Sequence, residues 1–246
     1  QGQYQGVYSL SGGLNNTVYS IESASNGLYV GGAFSQDHSG TVNLHNVGFW
    51  NGQSWQQMSG GVNGNVRAIK SSSLGVFVGG DFTKAGVSSE VDAVGLARWD
   101  GSTWHAVGET TGSVLSIENT TGGILIGGGT NFAIKLALPS FISTGLIKYN
   151  GSSFEYFNNF AVVGNVNKIK SGSYGVIIGG SFSNIANIST FTSYDISKLA
   201  LFSGDQCSGF GTINDYITDF VVEKNQETQQ LEAIYAVGNF TQIDSN

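Results

Sequence analysis

Few side chains in this sequence combine the residue types and the spacing that chemistry requires. His38 and His45 lie in one polar segment with Asp37, and imidazole and carboxylate groups are common zinc ligands. Two histidines with six residues between them supply only part of a tetrahedral site, and no motif fixes the remaining ligands. A polar loop without a metal is therefore the favoured interpretation, and the metal cluster is the alternative.

Cys207, in the phrase GDQCSGF, is the only thiol of the chain and cannot form an internal disulfide. A reactive cysteine needs a neighbouring base or cation, and no motif places one beside it. His105 follows Trp104 and is predicted to point away from it into solvent. The sequence also lacks the G-x-S-x-G phrase of hydrolases and the aspartate-rich loop of EF-hands. No cofactor is expected, and the protein is predicted not to be an enzyme.

Composition argues against several partners. Charged residues make up 11% of the 246 residues, the net charge is −7, and the ten Lys and Arg are scattered. Nucleic acids and anionic membrane surfaces are bound by clustered cations, so neither is an expected partner. No apolar run approaches the ~20 residues of a membrane helix. Sparse charge and abundant Ser, Thr and Asn favour an extracellular protein, and the start QGQYQG is typical of a mature or excised chain.

Five N-x-(S/T) sequons could carry N-linked glycans if a eukaryote secretes the chain. Their asparagines are Asn15, Asn119, Asn150, Asn187 and Asn239. Asn119 and Asn187 are predicted in loops and Asn150 in a hairpin turn, where all three would be exposed. Composition alone would produce almost as many sequons, so their number proves nothing, but two or more are expected to be modified in a secreted protein.

All these residues belong to elements that repeat along the chain. The phrases GLYVGGAF, GVFVGGDF, GILIGGGT and GVIIGGSF recur, and IYAVGNF is a fifth, weaker copy. The first glycine after each strand is assigned to positions separated by 48, 48, 52 and 59 residues, namely Gly31, Gly79, Gly127, Gly179 and Gly238. Each unit is interpreted as four strands: strand A carries V-x-x-I, strand B precedes G-G, and strands C and D form a hairpin. Four antiparallel strands in about 50 residues predict a propeller blade.

The whole chain, 1–246, is predicted to be one all-β domain, a β-propeller with five blades of four antiparallel strands. The predicted repeats are 17–65, 66–113, 114–165, 166–215, and 216–246 combined with 1–16. The N-terminal phrase QGVYSLSGG matches a strand D, so the N-terminal strand is expected to complete the last blade, which lacks strand C. The chain is then part of a longer protein or has a short fifth blade, and a partial set from a larger ring is the remaining alternative.

The hairpin between strands C and D carries the phrase W-(N/D)-G-x-x-W, with the tryptophan pairs Trp50 and Trp55, and Trp99 and Trp104. Asn-Gly and Asp-Gly favour two-residue type I′ loops, which are predicted at 51–52, 100–101 and 150–151, with a degraded copy at 203–204. Counting outwards from these loops gives the following expected partners: Trp99 with Ser102, Trp104 with Ala97, Trp55 with Gly48, and Phe154 with Ile147. The tryptophans would pack between blades, and an exposed aromatic platform for sugar or peptide is the alternative.

Paired glycines follow strand B in most repeats, as in Gly31–Gly32, Gly79–Gly80 and Gly179–Gly180. Such pairs permit a positive φ, a bulge or a close backbone approach, and a close approach fits the crowded region near a propeller axis. A phosphate-binding loop would require a helix after the glycines, and none is predicted. The pairs are therefore interpreted as structural.

The phrases VYSIESASNGLYVGGAFSQ, VRAIKSSSLGVFVGGDFTKAG and VGLARWDGSTWHAVG resemble the repeat of secreted and cell-surface β-propellers, including delta-60-type repeats and fungal cortical polarity-marker proteins. The resemblance covers nearly the whole chain, although the later repeats drift. It implies an extracellular or cell-surface role without catalysis, and it carries over no functional residue.

Three functions are compatible with these features. The favoured one is a structural or assembly module: a coat or filament subunit, or a domain of a large surface glycoprotein, that associates with itself or with other surface proteins. The second is an adhesion propeller that binds glycan or protein, which requires an exposed aromatic cluster on one face. The third is an enzyme, which requires His, Asp, Glu or Arg to converge in the central channel.

Overall fold

The computed structural model describes residues 10, 12–86, 90–129, 132–135 and 141–244, except for the side chains of 141–143 and 244. Within these ranges the chain forms strands and turns and no helix. In chain order the strands are β1 (Val18–Ala24), β2 (Gly27–Gly32), β3 (Val47–Trp50), β4 (Trp55–Gln57), β5 (Asn65–Ser72), β6 (Gly75–Asp81), β7 (Lys84–Ala85), β8 (Val91–Asp92), β9 (Gly95–Trp99), β10 (Trp104–Thr111), β11 (Val114–Thr120), β12 (Gly123–Gly128), β13 (Ala133–Lys135), β14 (Phe141–Ser143), β15 (Leu146–Tyr149), β16 (Phe154–Glu155), β17 (Phe160–Val163), β18 (Val166–Gly172), β19 (Gly175–Gly180), β20 (Asn184–Asn187), β21 (Thr192–Tyr194), β22 (Leu199–Ser203), β23 (Gln206–Gly209), β24 (Thr212–Ile213), β25 (Ile217–Lys224), β26 (Leu231–Gly238) and β27 (Ile243–Asp244).

Four sheets repeat one antiparallel order, and we call them blades 1 to 4. Their orders are β1-β2-β3-β4, β5-β6-β9-β10, β11-β12-β15-β16 and β18-β19-β22-β23, and β13 and β14 extend the second. Strands β25 and β26 form a fifth, two-stranded sheet, which we call blade 5. The chain is therefore an all-β propeller, as the sequence predicts. The number of blades and the repeat boundaries stay predictions, and the expected N-terminal strand lies in residues 1–9, outside the described residues.

The connections between strands B and C are more structured than the sequence predicts. They are not simple polar loops, because they contain the small antiparallel pairs β7–β8, β13–β14 and β20–β21. Strand β17 joins β20, and β24 pairs with β27. These additions are two to four residues long, too short to give a recognisable alternation of apolar and polar residues.

A β-bulge in each inner strand explains the V-x-x-I pattern. Residues three apart point to opposite faces of a regular strand. In β5 the pairing shifts between Val66 and Ala68, and the extra residue brings Val66 and Ile69 to the same face. Both side chains are buried and both approach Gly31 of blade 1. The same shift occurs in β1, β11, β18 and β25.

The paired glycines are required by close packing and not by their backbone angles. None of the six predicted glycines, 31–32, 79–80 and 179–180, has a positive φ, and the bulges lie on the partner strand. A Cβ on Gly31 would overlap Val66 of the next blade, and a Cβ on Gly32 would overlap the carbonyl oxygen of Thr17. The first glycine thus admits the neighbouring blade, and the second admits the bulged inner strand of its own blade.

The assignment of Gly238 as a first glycine is wrong. Gly238 pairs with Ile217, just as the second glycine Gly180 pairs with Val166. Val237 therefore occupies the position of the first glycine in blade 5. The phrase VGNF contains one glycine where the other repeats have two. That glycine can be aligned with either member of a G-G pair, so the sequence alone does not show that it is the second.

The two-residue loops predicted at 51–52, 100–101 and 150–151 are also wrong, because these three loops contain four residues. Trp50 pairs with Trp55, Trp99 with Trp104, and Tyr149 with Phe154. The Oδ1 atom of Asp100 accepts hydrogen bonds from the backbone N–H groups of Ser102 (2.9 Å) and Thr103 (2.8 Å). Asn51 and Asn150 make equivalent bonds. Because this side-chain oxygen satisfies two loop N–H groups, the longer loop is stable and only its glycine needs a positive φ.

The expected cross-strand partners change with the loop length. Gly48 lies opposite Gln57, and Ala97 opposite Ala106. The fourth hairpin has a two-residue loop, but its residues are 204–205 instead of the predicted 203–204. Large rings therefore meet large rings across the hairpin, whereas the expected partners of Trp55 and Trp104 were the small residues Gly48 and Ala97.

The tryptophans are nevertheless buried, and Trp99 and Trp104 lie between blades. The rings of Trp99 and Trp104 have centroids 5.3 Å apart and pack in one cluster with Val47 and Met58 of the preceding repeat. The indole Nε1 of Trp104 donates a hydrogen bond to the carbonyl oxygen of Met58 (2.7 Å). Trp50 and Trp55 are also buried, but they pack with Val30, Phe34 and Leu44 of their own repeat and with Leu10 and Leu14. An exposed tryptophan platform is therefore contradicted.

Candidate functional site

The inner strands of all five sheets line one axial channel. Strands β1, β5, β11, β18 and β25 contribute its walls, and its volume is about 270 Å³. Seven of the 18 lining residues are charged, although charged residues make up 11% of the chain. They are Glu22, Arg67, Lys70, Glu118, Lys168, Lys170 and Asp219. Among the described residues, charged side chains are thus concentrated in the channel.

Five of the seven channel charges pair with one another across blade boundaries, whereas Arg67 pairs with Asp81 of its own blade. The Nζ atom of Lys70 lies 3.0 Å from Glu118 Oε1 and 3.7 Å from Glu22 Oε1. Lys168 Nζ lies 2.9 Å from Asp219 Oδ1. Because each of these lysines faces a carboxylate of another blade, the pairs join neighbouring blades. A charge occupied in this way is a poor candidate for acid–base chemistry.

The segment around Asp37 does not form a metal centre in the described residues. The Asp37 carboxylate accepts hydrogen bonds from the Ser39 hydroxyl and from the backbone N–H groups of Val42 (2.7 Å) and Thr41 (2.9 Å). These bonds, the Ser39 bond foremost, lower the pKa of Asp37. Among the described residues no group of three or more His, Cys, Asp and Glu side chains is placed to hold a metal ion. Asp37 instead closes its own loop.

Cys207 and His105 occupy structural positions as well. Cys207 lies opposite Phe202 in its hairpin, and burial raises the pKa of its thiol to about 12. The thiol is therefore protonated at neutral pH and is a poor nucleophile. His105 is half-exposed, and its Nε2 lies 2.6 Å from Asp100 Oδ2 in the same hairpin. The Asp100 carboxylate holds the imidazole of His105 in place, whereas the sequence predicts a ring that only contacts solvent.

The sequon Asn119 is not in a loop, contrary to the prediction. It belongs to β11 and is half-buried. Its Nδ2 donates a hydrogen bond to the carbonyl oxygen of Ser71 in β5, the inner strand of the preceding blade (2.8 Å). Asn187 ends β20, and its Oδ1 accepts from the N–H groups of Ser189 (2.9 Å) and Thr190 (3.1 Å). A glycan on Asn119 would displace an inter-blade bond, whereas Asn187 stands beside an exposed hairpin tip.

The other three sequon asparagines are exposed and use their Nδ2 atoms within the fold. The acceptors are Ser35 Oγ for Asn15 (2.9 Å), Ser153 Oγ for Asn150 (3.1 Å) and Asp215 Oδ2 for Asn239 (2.6 Å). Asn150 is in the predicted hairpin turn. Glycosylation at any of the five positions stays a prediction.

Two exposed apolar surfaces are the main feature that the sequence interpretation missed. The β1 surface consists of Val18, Tyr19 and Ile21, whose exposed fractions are 39%, 46% and 64%. The blade 5 surface consists of Val221, Tyr235 and Val237, which are 58%, 60% and 62% exposed. The residues equivalent to Val18 and Ile21 in β5, β11, β18 and β25 are buried. The sequence does mark the blade 5 surface, because position 237 carries a valine where the other repeats have the first glycine of the G-G pair.

Three clefts lie at the end of the propeller where the A–B turns occur. They separate blades 1 and 2, 2 and 3, and 3 and 4, and have volumes of about 500, 450 and 610 Å³. The largest is lined by Asn119, Lys148 and Asn158 and by the buried rings of Phe157 and Phe202. These clefts have the size of small-ligand sites.

Comparisons with known proteins add a fold likeness only. No family model and no curated protein matches the sequence. Among solved structures, the WD40 β-propeller domain of Doa1 is similar: the identity is 13%, the alignment covers 93% of this chain and 71% of that chain, and the TM-score is 0.43. This likeness carries no functional argument. The described residues also contain no helix with the length and apolar character needed to cross a bilayer.

Proposed function

We propose that this propeller is a non-enzymatic structural module of the cell surface or extracellular space that assembles by self-association. The observation that carries the proposal is the exposure of six large apolar side chains on the β1 surface and the blade 5 surface. Scattered apolar residues are normal on soluble proteins, whereas clustered ones mark interaction sites.

The distribution of charge supports the same function. Seven charged residues line the channel, where several are occupied in pairs between blades. The remaining surface is correspondingly poor in charge, which weakens the repulsion that keeps copies of a protein apart. Ser, Thr, Asn and Gly dominate the loops, which suits packing against another copy.

The candidate chemical groups support a role without catalysis. The Cys207 thiol is kept protonated by burial, and the Asp37 carboxylate is occupied by its own loop. The extracellular location rests on composition and on the resemblance to surface propellers.

Sedimentation velocity of the native chain over a wide range of concentration tests self-association. The proposal predicts a weight-average sedimentation coefficient that rises with concentration and a further rise with salt, because salt strengthens apolar association and screens the net negative charge. A single species of monomer mass at every concentration would overturn it.

A second candidate function is glycan binding in the largest cleft. Its lining combines the amide groups of Asn119 and Asn158 and the Lys148 ammonium group, which are groups that can fix the orientation of a small polar ligand. A glycan array with the wild type and Lys148→Met tests this function, and Lys135→Met, which lies outside the cleft, is the control. Binding that is lost only in Lys148→Met would favour this function, and the absence of any glycan signal would exclude it for the array used.

A further inference from the structure

The inner strands place a series of alternating charges in the axial channel. One residue after the isoleucine of the V-x-x-I pattern, the channel carries Glu22 in blade 1, Lys70 in blade 2, Glu118 in blade 3 and Lys170 in blade 4. The pairing register of β25 gives the same position in blade 5 to Val221. The alternation therefore ends at blade 5, where an apolar side chain takes the place of a charged one.

Lys170 has no charge partner among the residues that the structure describes. Lys70, its equivalent in blade 2, lies between two glutamates and pairs with both, at 3.0 and 3.7 Å. The other two channel cations, Arg67 and Lys168, each pair with an aspartate. Lys170 is half-buried in the channel wall, and a half-buried ammonium group without a partner favours the binding of an anion.

A buried hydroxyl group with an unused hydrogen lies beside Lys170. Ser116 of β11 lines the channel and is 6% exposed, and its Oγ accepts a hydrogen bond from the N–H group of Ile169 (3.0 Å). Ile169 directly precedes Lys170 in β18. Because Ser116 Oγ acts as an acceptor in this bond, its O–H remains to donate, and no described residue accepts from it. The ammonium group and the hydroxyl group are thus neighbouring donors in the channel wall.

The rest of the lining restricts the charge and the size of a ligand. One unpaired cation balances one negative charge, and the carboxylates of Glu22, Glu118 and Asp219 in the same channel repel a dianion. Ile21 and Leu115 add apolar surface to the wall. The channel volume of about 270 Å³ is below the ~300–1,000 Å³ of sites for drug-sized ligands. The channel therefore suits a small monoanion with an apolar part.

We propose that the axial channel binds a small aliphatic monocarboxylate. The two oxygens of the ligand accept hydrogen bonds from the Lys170 ammonium group and from the Ser116 hydroxyl group, and its hydrocarbon part lies against the apolar part of the wall. The site is formed within one copy of the chain. The inference therefore goes beyond the proposed self-association and does not depend on it.

Saturation-transfer difference NMR with sodium butyrate as the probe tests this site, at an ionic strength kept constant with sodium chloride. The expected result is saturable binding to the wild type that Lys170→Met weakens by roughly tenfold, the effect of losing one hydrogen bond to a charged group. Lys224→Met is the matched control. Lys224 also lacks a side-chain partner among the described residues, but it ends β25 outside the channel lining, so this variant should bind as the wild type does.

Absence of saturable binding to the wild type, or equal affinities of Lys170→Met and Lys224→Met, would overturn the inference. Inorganic phosphate at alkaline pH, where it is a dianion, should displace butyrate no better than chloride does. Stronger displacement by phosphate would overturn the assignment of a monocarboxylate.

A second pair of variants tests the site without removing the lysine. Val221→Glu places a carboxylate in the blade next to Lys170 and completes the alternation of charge, so it should abolish butyrate binding. Val221→Gln has a similar size and no charge, so it should leave binding unchanged. Val221 is 58% exposed, and circular dichroism verifies that the variants fold. Equal binding by the two Val221 variants would overturn the inference, and this pair decides if Lys170→Met misfolds.

Discussion

Two tryptophans in equivalent positions give a matched test of packing between blades. Trp104 and Trp55 are 4% and 5% exposed, and each contacts a second tryptophan at a centroid distance of 5.3 Å. They differ in one respect. Trp104 Nε1 donates to the Met58 carbonyl oxygen (2.7 Å), whereas Trp55 Nε1 is buried and has no hydrogen-bond partner among the residues that the structure describes.

Replacing each tryptophan with phenylalanine isolates this difference. Both substitutions remove the same atoms from a buried site, so the cost of lost packing is similar. Trp104→Phe also removes a hydrogen bond with a net value of about 1 kcal/mol, while Trp55→Phe removes an unsatisfied N–H whose burial costs ~1–3 kcal/mol. The Met58 carbonyl keeps its bond from Gly61 N–H (3.0 Å), which limits the penalty. We expect Trp104→Phe to be less stable than Trp55→Phe by roughly 2 kcal/mol.

Urea unfolding followed by far-ultraviolet circular dichroism measures this difference, since the signal does not depend on the replaced indole. The slopes of free energy against urea must agree among the wild type and both variants for the comparison to hold. Equal unfolding free energies, or a greater loss for Trp55→Phe, would refute the assigned hydrogen-bond pattern. They would also question the placement of the hairpin against the preceding blade.

Three further predictions concern single positions. Gly79→Ala should lower the unfolding free energy by about 1–3 kcal/mol in a urea melt, because the added Cβ would overlap Val114. The control Gly204→Asn should change this free energy little, because Gly204 lies in open space at a positive φ that Asn tolerates. Similar losses in the two variants would argue against the close approach at Gly79. Burial raises the pKa of Cys207 from 9.0 to about 12, so the wild type should lose stability relative to Cys207→Ser as pH rises through that interval, and parallel pH profiles would contradict the buried thiol. The hydrogen bond with His105 and, after it, the bonds from the Thr103 and Ser102 N–H groups lower the pKa of Asp100. The wild type should therefore lose stability relative to Asp100→Asn as pH falls below about 4, and no difference in acid melts would count against the Asp100–His105 pair and the loop bonds.

The sequence predicted those features of the fold that many residues encode together. The V-x-x-I and G-G phrases each recur four or five times, so the all-β class and the propeller architecture did not depend on any single residue. The glycine pairs were correctly linked to close approach, although the bulge lies on the opposite strand. A bulge adds one residue to a strand and leaves no mark in residue type, so its position could not be derived.

Local details failed where two turn geometries compete for the same residues. Asn-Gly and Asp-Gly suit a type I′ loop, yet Asp100 is followed by Ser102 and Thr103, whose N–H groups bond to its side chain. The blade 5 surface was missed for a different reason. Val237 stands where the other blades have a glycine, and it lies exposed beside Val221 and Tyr235. A repeat comparison that aligns Gly238 with the first glycine conceals this valine.

Negative-stain electron microscopy of native material at near-physiological concentration tests the central claim of self-assembly most directly. The account predicts particles larger than one propeller, either paired discs or extended fibres, tubes or sheets with a repeat of propeller size, and their loss in Val237→Lys. Dispersed single discs at every concentration would contradict the claim.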